Sequence, residues 1–219
     1  MKLSYFIAAI LLIVAFAFFN FNDILNFTGL SVSADAGCES KTNNPERNKC
    51  YVDLAKSVMD AKYCDFLEKQ DKSYNYCIFS VSELNHDVSL CRTIQDDTNW
   101  GDLCYWRYAE YSGEASFCYK LSLINEKNEC FYNIALDKEN VEICNKIPEN
   151  YNLNQKCIYE LAKETENVEF CELLKSSASR DVCFIAIAEI KQDRSICASI
   201  KSNLIKEDCE SRLGRNIIN

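Results

Sequence analysis

Fourteen cysteines lie on a grid that leaves this chain few folds to choose from. Its clearest copy runs from Glu129 to Ile147. With Cys130 as position zero, an aromatic and an apolar residue follow at one and two, an aliphatic at four, a small residue at five, Asn140 at ten, Cys144 at fourteen and Ile147 at seventeen. The same grid starts at Cys50, Cys77, Cys104, Cys130, Cys157 and Cys183. Position five reads Ala55, Ser82, Ala109, Ala135, Ala162, Ala188, and position ten reads Asp60, Asp87, Glu114, Asn140, Asn167, Asp193. Residues of matched size and polarity at matched positions define an internal structural repeat of 26 or 27 residues.

Positions one, four, five and eight fall on one face at helical spacing, while position three is mostly polar, as in Asp53, Arg107 and Asn133. The spacing predicts a first helix of about ten to twelve residues. Position ten then carries a side chain able to accept an orphan backbone amide and start a second helix, with Glu114 the weaker cap. Positions thirteen and seventeen, four apart, are expected to be buried in that helix: Tyr63 with Leu67, Phe117 with Leu121, Ile143 with Ile147. The repeat is therefore read as an αα-hairpin. The small residue at position five marks the place where adjacent helices approach most closely.

Only 2 Pro and 5 Gly agree with an all-α chain. No Cys-x-x-Cys occurs, so zinc-ribbon, thioredoxin-like and c-type haem signatures are absent and a disulfide framework is expected, which requires an oxidising compartment. The interval from position zero to fourteen is constant, whereas the interval onward is twelve or thirteen, so the variable loop lies inside the second interval. Pairing neighbours from the first cysteine uses all fourteen: Cys38–Cys50, Cys64–Cys77, Cys91–Cys104, Cys118–Cys130, Cys144–Cys157, Cys171–Cys183 and Cys197–Cys209. The other sequential scheme, Cys50 with Cys64 and so on, strands Cys38 and Cys209. In a hairpin turning near Asp71, Cys64 lies level with Cys77, which favours the first scheme. Helices this short are marginal alone, and a staple closing such a loop contributes roughly 3 kcal/mol in the chain-entropy model.

Residues 1–21 carry an apolar run from Tyr5 to Phe19 behind Lys2, nearly the ~20 residues that cross a bilayer. The positive-inside rule places Lys2 in the cytoplasm and the remainder outside. Cleavage near Ala34-Asp35-Ala36, giving a secreted protein, is the alternative, and a lipoprotein reading of Cys38 conflicts with its place in the grid. Residues 22–37 are polar and without a helical stripe, as in a stalk, and contain one glycosylation sequon at Asn26. Residues 38–219 form the repeat domain, expected to be one solenoid or compact superhelix. Its polar substitutions after Cys38 and Cys209 suit capping repeats.

The repeat resembles the αα-repeat class of tetratricopeptide and Sel1-like repeats, especially secreted cysteine-rich Sel1-like proteins in which a disulfide staples each helical pair. It also resembles bacterial and archaeal surface proteins with Cys-(Tyr/Phe)-x-x-(Leu/Ile)-Ala units. The resemblance covers Cys38 to Gly214. It implies binding and scaffolding, and no catalytic residue comes with it. The period here is shorter than the 34 residues of tetratricopeptide repeats, so their ligand-contact positions do not transfer.

The formal charge of -9 argues against nucleic acid as partner. His86, the single histidine, stands in a turn without a partner cluster and reads as solvated. The stretch Asp96–Asp102 lacks the alternating carboxylates and final glutamate of a calcium loop and reads as an interhelical loop in which Thr98 or Asn99 caps the next helix. Position two reads Phe79, Trp106, Tyr132, Tyr159 in successive repeats, a row of rings suited to the core between stacked helices. The sharper expectation is a concave binding surface formed by Trp100, Trp106, Arg107 and Tyr111. No metal, cofactor or enzymatic set is read from the sequence. A membrane-anchored extracytoplasmic scaffold for a protein or peptide is expected, with a self-associating envelope or filament component as alternative, and a redox or metal-handling protein as a third reading requiring free thiols.

Overall fold

The structure, a computed structural model, describes residues 34–94, 99–149 and 152–215. The apolar run, the Asn26 sequon and Asp96–Thr98 lie outside the described residues, among which no helix is long and apolar enough to cross a membrane. The described residues form helices and turns without a β-strand. Seven long helices of 13 to 15 residues each carry one position-zero cysteine: α1 (Asn44–Val58), α2 (Lys72–Asn85), α3 (Trp100–Ser112), α4 (Ile124–Asp137), α5 (Asn152–Glu164), α6 (Ser177–Lys191) and α7 (Asn203–Arg215). A further helix, Ala34–Glu39, begins inside the stretch expected to be an unstructured stalk. Its sequence contains Ala34 and Ala36, both strong helix formers.

The second helix of each repeat differs from the expected partner of equal standing. It is a segment of 4 to 6 residues, 3₁₀ in Ala61–Phe66, Leu90–Thr93, Ala115–Lys120 and Arg194–Ser199, and α in Val141–Cys144 and Val168–Glu172. The amide at position seventeen donates to the carbonyl of the position-fourteen cysteine in all six repeats, from Leu67–Cys64 to Ile200–Cys197. In the 3₁₀ repeats position seventeen is itself extended, as at Leu67 (ψ 147) and Leu121 (ψ 140). The aliphatic side chain is buried there, with Leu67, Leu121, Ile147 and Leu174 all inside the core. Turning the chain to bury this residue ends the helix after a turn or two. Position thirteen, expected to be buried with it, is only half-buried.

The long helices also end by a shared device. Position nine is left-handed in every repeat: Met59, His86, Gly113, Glu139, Glu166 and Gln192 have φ between 48 and 70. The next amide, at position ten, donates back to the carbonyl of position five in all repeats except the third, the closure of a Schellman motif. Position ten then caps the short helix as expected in Asp60, Asn140, Asn167 and Asp193, each accepting the amide two residues on, whereas Asp87 accepts the amide of Ser89 just before its short helix begins at Leu90. Glu114 makes no such bond, and its own amide donates to Ser112 Oγ. Of the two residues expected to cap α3, Asn99 makes no side-chain cap bond and Thr98 lies outside the described residues. Position eight, expected on the buried face, is exposed at Val58, Asn85, Lys138 and Lys191 because the chain leaves the helix there. Position five is buried throughout, five of the six residues at 0% exposure.

The chain divides into two compact units, Met1–Tyr74 and Asn75–Asn219. In the first, Cys38–Cys50 joins the Ala34–Glu39 helix to α1, Tyr51 stacks on Phe66, and Asp71 caps the start of α2 through the Ser73 amide while accepting from Asn48. These bonds, led by the Ser73 amide, hold the Asp71 carboxyl below its usual range. In the second, Cys91–Cys104, Cys118–Cys130, Cys144–Cys157, Cys171–Cys183 and Cys197–Cys209 each tie a short helix to the long helix that follows. Cys64 and Cys77 are disulfide-bonded too, and no cysteine is free. From α3 onward each long helix packs on its flanking short helices and on the next long helix, as in a repeat stack with nearest-neighbour contacts. One continuous core runs there from Ala109 to Leu213.

A polar ladder reinforces these junctions. Two residues before each position-zero cysteine stands Asn48, Asn75, Asp102, Asn128, Gln155, Asp181 or Glu207. Asp102, Gln155 and Asp181 accept the backbone amides of Ser122, Lys175 and Lys201, which open the approach to the next long helix. At the equivalent place in the fourth repeat stands Pro148, which has no amide hydrogen, and both polar atoms of Asn128 are buried without a partner.

Candidate functional site

The third repeat departs most from the grid, and its departures open a surface. Gly113 and Glu114 replace the usual residues at nine and ten, and only Cys104 and Ala109 of α3 are buried. Tyr105 and Tyr108, at positions one and four, are half-buried, whereas Phe131 and Ile134 at the same positions of α4 are fully buried. Large rings at core positions therefore lie partly in solvent along α3.

A cavity of about 350 Å³ lies between α2 and α3. Its floor contains Phe79 and Ser82, both nearly inaccessible, and Cys104. Ser82 is the one hydroxyl at position five, and it donates to the Asp87 carbonyl at 2.8 Å. One wall is the parallel stack of His86 on Tyr111, ring centroids 3.4 Å apart with planes 3° from parallel. Left-handed backbone at position nine carries the His86 ring there, so the residue read as solvated is exposed yet engaged with a ring. Tyr108 lies 6.4 Å from Tyr111 and meets Phe117 edge-on. At the rim, Arg107 Nε stands 3.6 Å from Glu83 Oε1 and its Nη1 3.4 Å from Glu110 Oε2. The other oxygen of Glu110 accepts Trp106 Nε1 at 2.7 Å.

The four residues expected to form one binding surface are spread over neighbouring depressions, with Trp106 and Arg107 sharing one beside Leu103 and Glu110. Arg107 and Tyr111, one helical turn apart, line the cavity, whereas Trp100 and Trp106 line a second depression of about 290 Å³ with Leu103 and Glu126. Trp100 is also held by tilted contacts with Tyr76 and Phe79. Glu110 joins the two groups, bonding Trp106 with one oxygen and Arg107 with the other. Of the row at position two, Phe79 is buried while Trp106, Tyr132 and Tyr159 are half-buried against the core. Tyr108 belongs to the central concentration of rings that the sequence shows, whereas Glu83 and Glu110 do not stand out there, because their convergence needs the packing of two helices. A one-turn spacing from Arg107 to Glu110 was the signal for one of them.

A further depression of about 450 Å³ is lined by Tyr159, Leu174 and Val182, and Lys156 covers Tyr132 at 5.2 Å. Among the described residues no group of three His, Cys, Asp or Glu side chains is placed to hold a metal ion. Comparisons with protein-family models, with curated proteins and with solved structures return no match.

Proposed function

We propose that this protein is a membrane-anchored extracytoplasmic scaffold that holds a protein or peptide on the α3 surface of a disulfide-stapled α-solenoid. The observation that carries the reading is the cavity between α2 and α3, where exposed Tyr111 and paired Arg107 stand on α3, a helix fixed by the Cys91–Cys104 staple. Tyr and Arg dominate binding hot spots, and a preorganised frame lowers the entropy lost on association. The anchor is residues 1–21 and the compartment follows from seven pairs' worth of oxidised cysteine. A photo-crosslinking residue at Tyr111, on intact cells, tests the site. A discrete adduct that is absent with the crosslinker at Glu149 supports it, and adducts of equal yield at both positions refute it.

Self-association is the second reading, favoured by the apolar depression around Tyr159 and by Val182, which is 52% exposed. Sedimentation of the purified chain over a range of concentrations separates the two.

A further inference from the structure

We infer that the cavity between α2 and α3 takes a cationic side chain, the guanidinium or ammonium group of a basic segment in a partner protein. This rests on the scaffold reading and names the chemistry of its partner. Three features of the cavity point the same way. Glu83 and Glu110 place two carboxylates at the rim against the single charge of Arg107, so the three groups together keep one negative charge. The walls are electron-rich rings, with Tyr111 61% exposed beside Tyr108 and the stacked His86. Cations are drawn to ring faces within about 6 Å of the centroid, and more strongly where water is excluded. The accessible faces of Tyr108 and Tyr111 give the stem of an arginine or lysine apolar surface beside the charged rim.

Arg107 is the resident occupant of this chemistry. Its contacts of 3.6 and 3.4 Å are longer than a well-formed charge-assisted hydrogen bond, and its side chain is 55% exposed. The two carboxylates are therefore held open by a loosely bound internal cation that an incoming one can displace or share. Charge steers the encounter. Lys2 and Asp23 are the only charges in residues 1–33 and cancel, so the whole net charge of -9 belongs to residues 34–219, which attract a basic segment and repel an acidic one.

The test uses the full chain with all disulfides intact and three peptides of equal length, built on repeated Gly-Arg, Gly-Gln and Gly-Glu, with binding read by calorimetry. The arginine peptide is expected to bind and the other two not, with weaker binding as salt is raised. Arg107→Gln frees both carboxylates and is expected to tighten the arginine peptide roughly tenfold, whereas Glu83→Gln combined with Glu110→Gln abolishes binding. Tyr111→Leu weakens it several-fold without changing the disulfide map. Loss of binding in Arg107→Gln, or binding of the acidic peptide, overturns the inference, since the site would then recognise anions through Arg107. Absence of binding by every peptide overturns it as well. A discrete adduct at Tyr111 in the crosslinking experiment leaves the scaffold reading standing in either case.

Discussion

Asp102 accepts both the backbone amide and the hydroxyl of Ser122, at 2.9 and 3.1 Å, across twenty residues of chain. The same rung recurs as Gln155 with Lys175 and Asp181 with Lys201, and it fails at Asn128, whose counterpart is Pro148. A buried polar group with a partner contributes about 1 kcal/mol, and one without costs about 1–3 kcal/mol. Asn128→Leu, close in volume, is therefore expected to stabilise the oxidised protein by about 1 kcal/mol, and Asp181→Leu to destabilise it by about 1–3 kcal/mol. Denaturant midpoints compare them. Equal losses in both variants would show that Asn128 is satisfied.

Five of the six left-handed residues at position nine are not glycine. Glu139→Gly and Glu166→Gly relieve steric cost at positive φ and are each expected to raise stability by roughly 0.5–1 kcal/mol. Gly113→Ala should lower it by about 1 kcal/mol, because φ is 70 and a Cβ there meets the end of the Lys138 side chain. Thermal melts of the three variants provide the check.

Three cap carboxylates are held below the usual value of 3.8: Asp60 by the Lys62 side chain and amide, Asp71 by the Ser73 amide and hydroxyl, and Asp193 by the Ser195 hydroxyl and amide. A carboxyl lowered in the folded state favours folding fully above its unfolded value and loses that contribution as pH falls through the folded value. The melting temperature should thus be insensitive to these groups near neutrality and drop below about pH 4. Asparagine serves as the cap in two repeats already, so Asp60→Asn and Asp193→Asn should keep the cap bond, fall slightly below wild type near neutrality and converge with it in acid, giving a shallower acid slope. An unchanged acid slope would exclude the caps as its source.

Ala135 is fully buried, and its carbonyl accepts the Asn140 amide that closes α4. Ala135→Leu has no space to enter and should cost about 1–3 kcal/mol or more. A variant of normal stability would mean that neighbouring helices do not meet at position five.

Much of the fold was legible because it rests on local chemistry. The cysteine grid gave the staples, Asp60 and Asn140 behaved as the caps their spacing suggested, and the alanines marked a buried row. The short helix misled because Leu67 and Ile147 recur at helical spacing from position thirteen, yet burial draws them out of the helix instead of along it. The ladder was visible as a polar residue before every cysteine, but its meaning required the amide it meets twenty residues later. The site was half legible. Arg107 and Tyr111 stood out as hot-spot residues, while Glu83 and His86 reach them only when α2 lies beside α3.

A non-reducing peptide map of the protein isolated from its native source, with free thiols counted, bears most directly on the proposal of a stapled, extracytoplasmic scaffold. Links between cysteines 12 or 13 residues apart, Cys64 with Cys77 among them, and no free thiol are the predicted result. Links 14 residues apart, as from Cys50 to Cys64, or free thiols in quantity would contradict both the fold of the repeat and the compartment assigned to it.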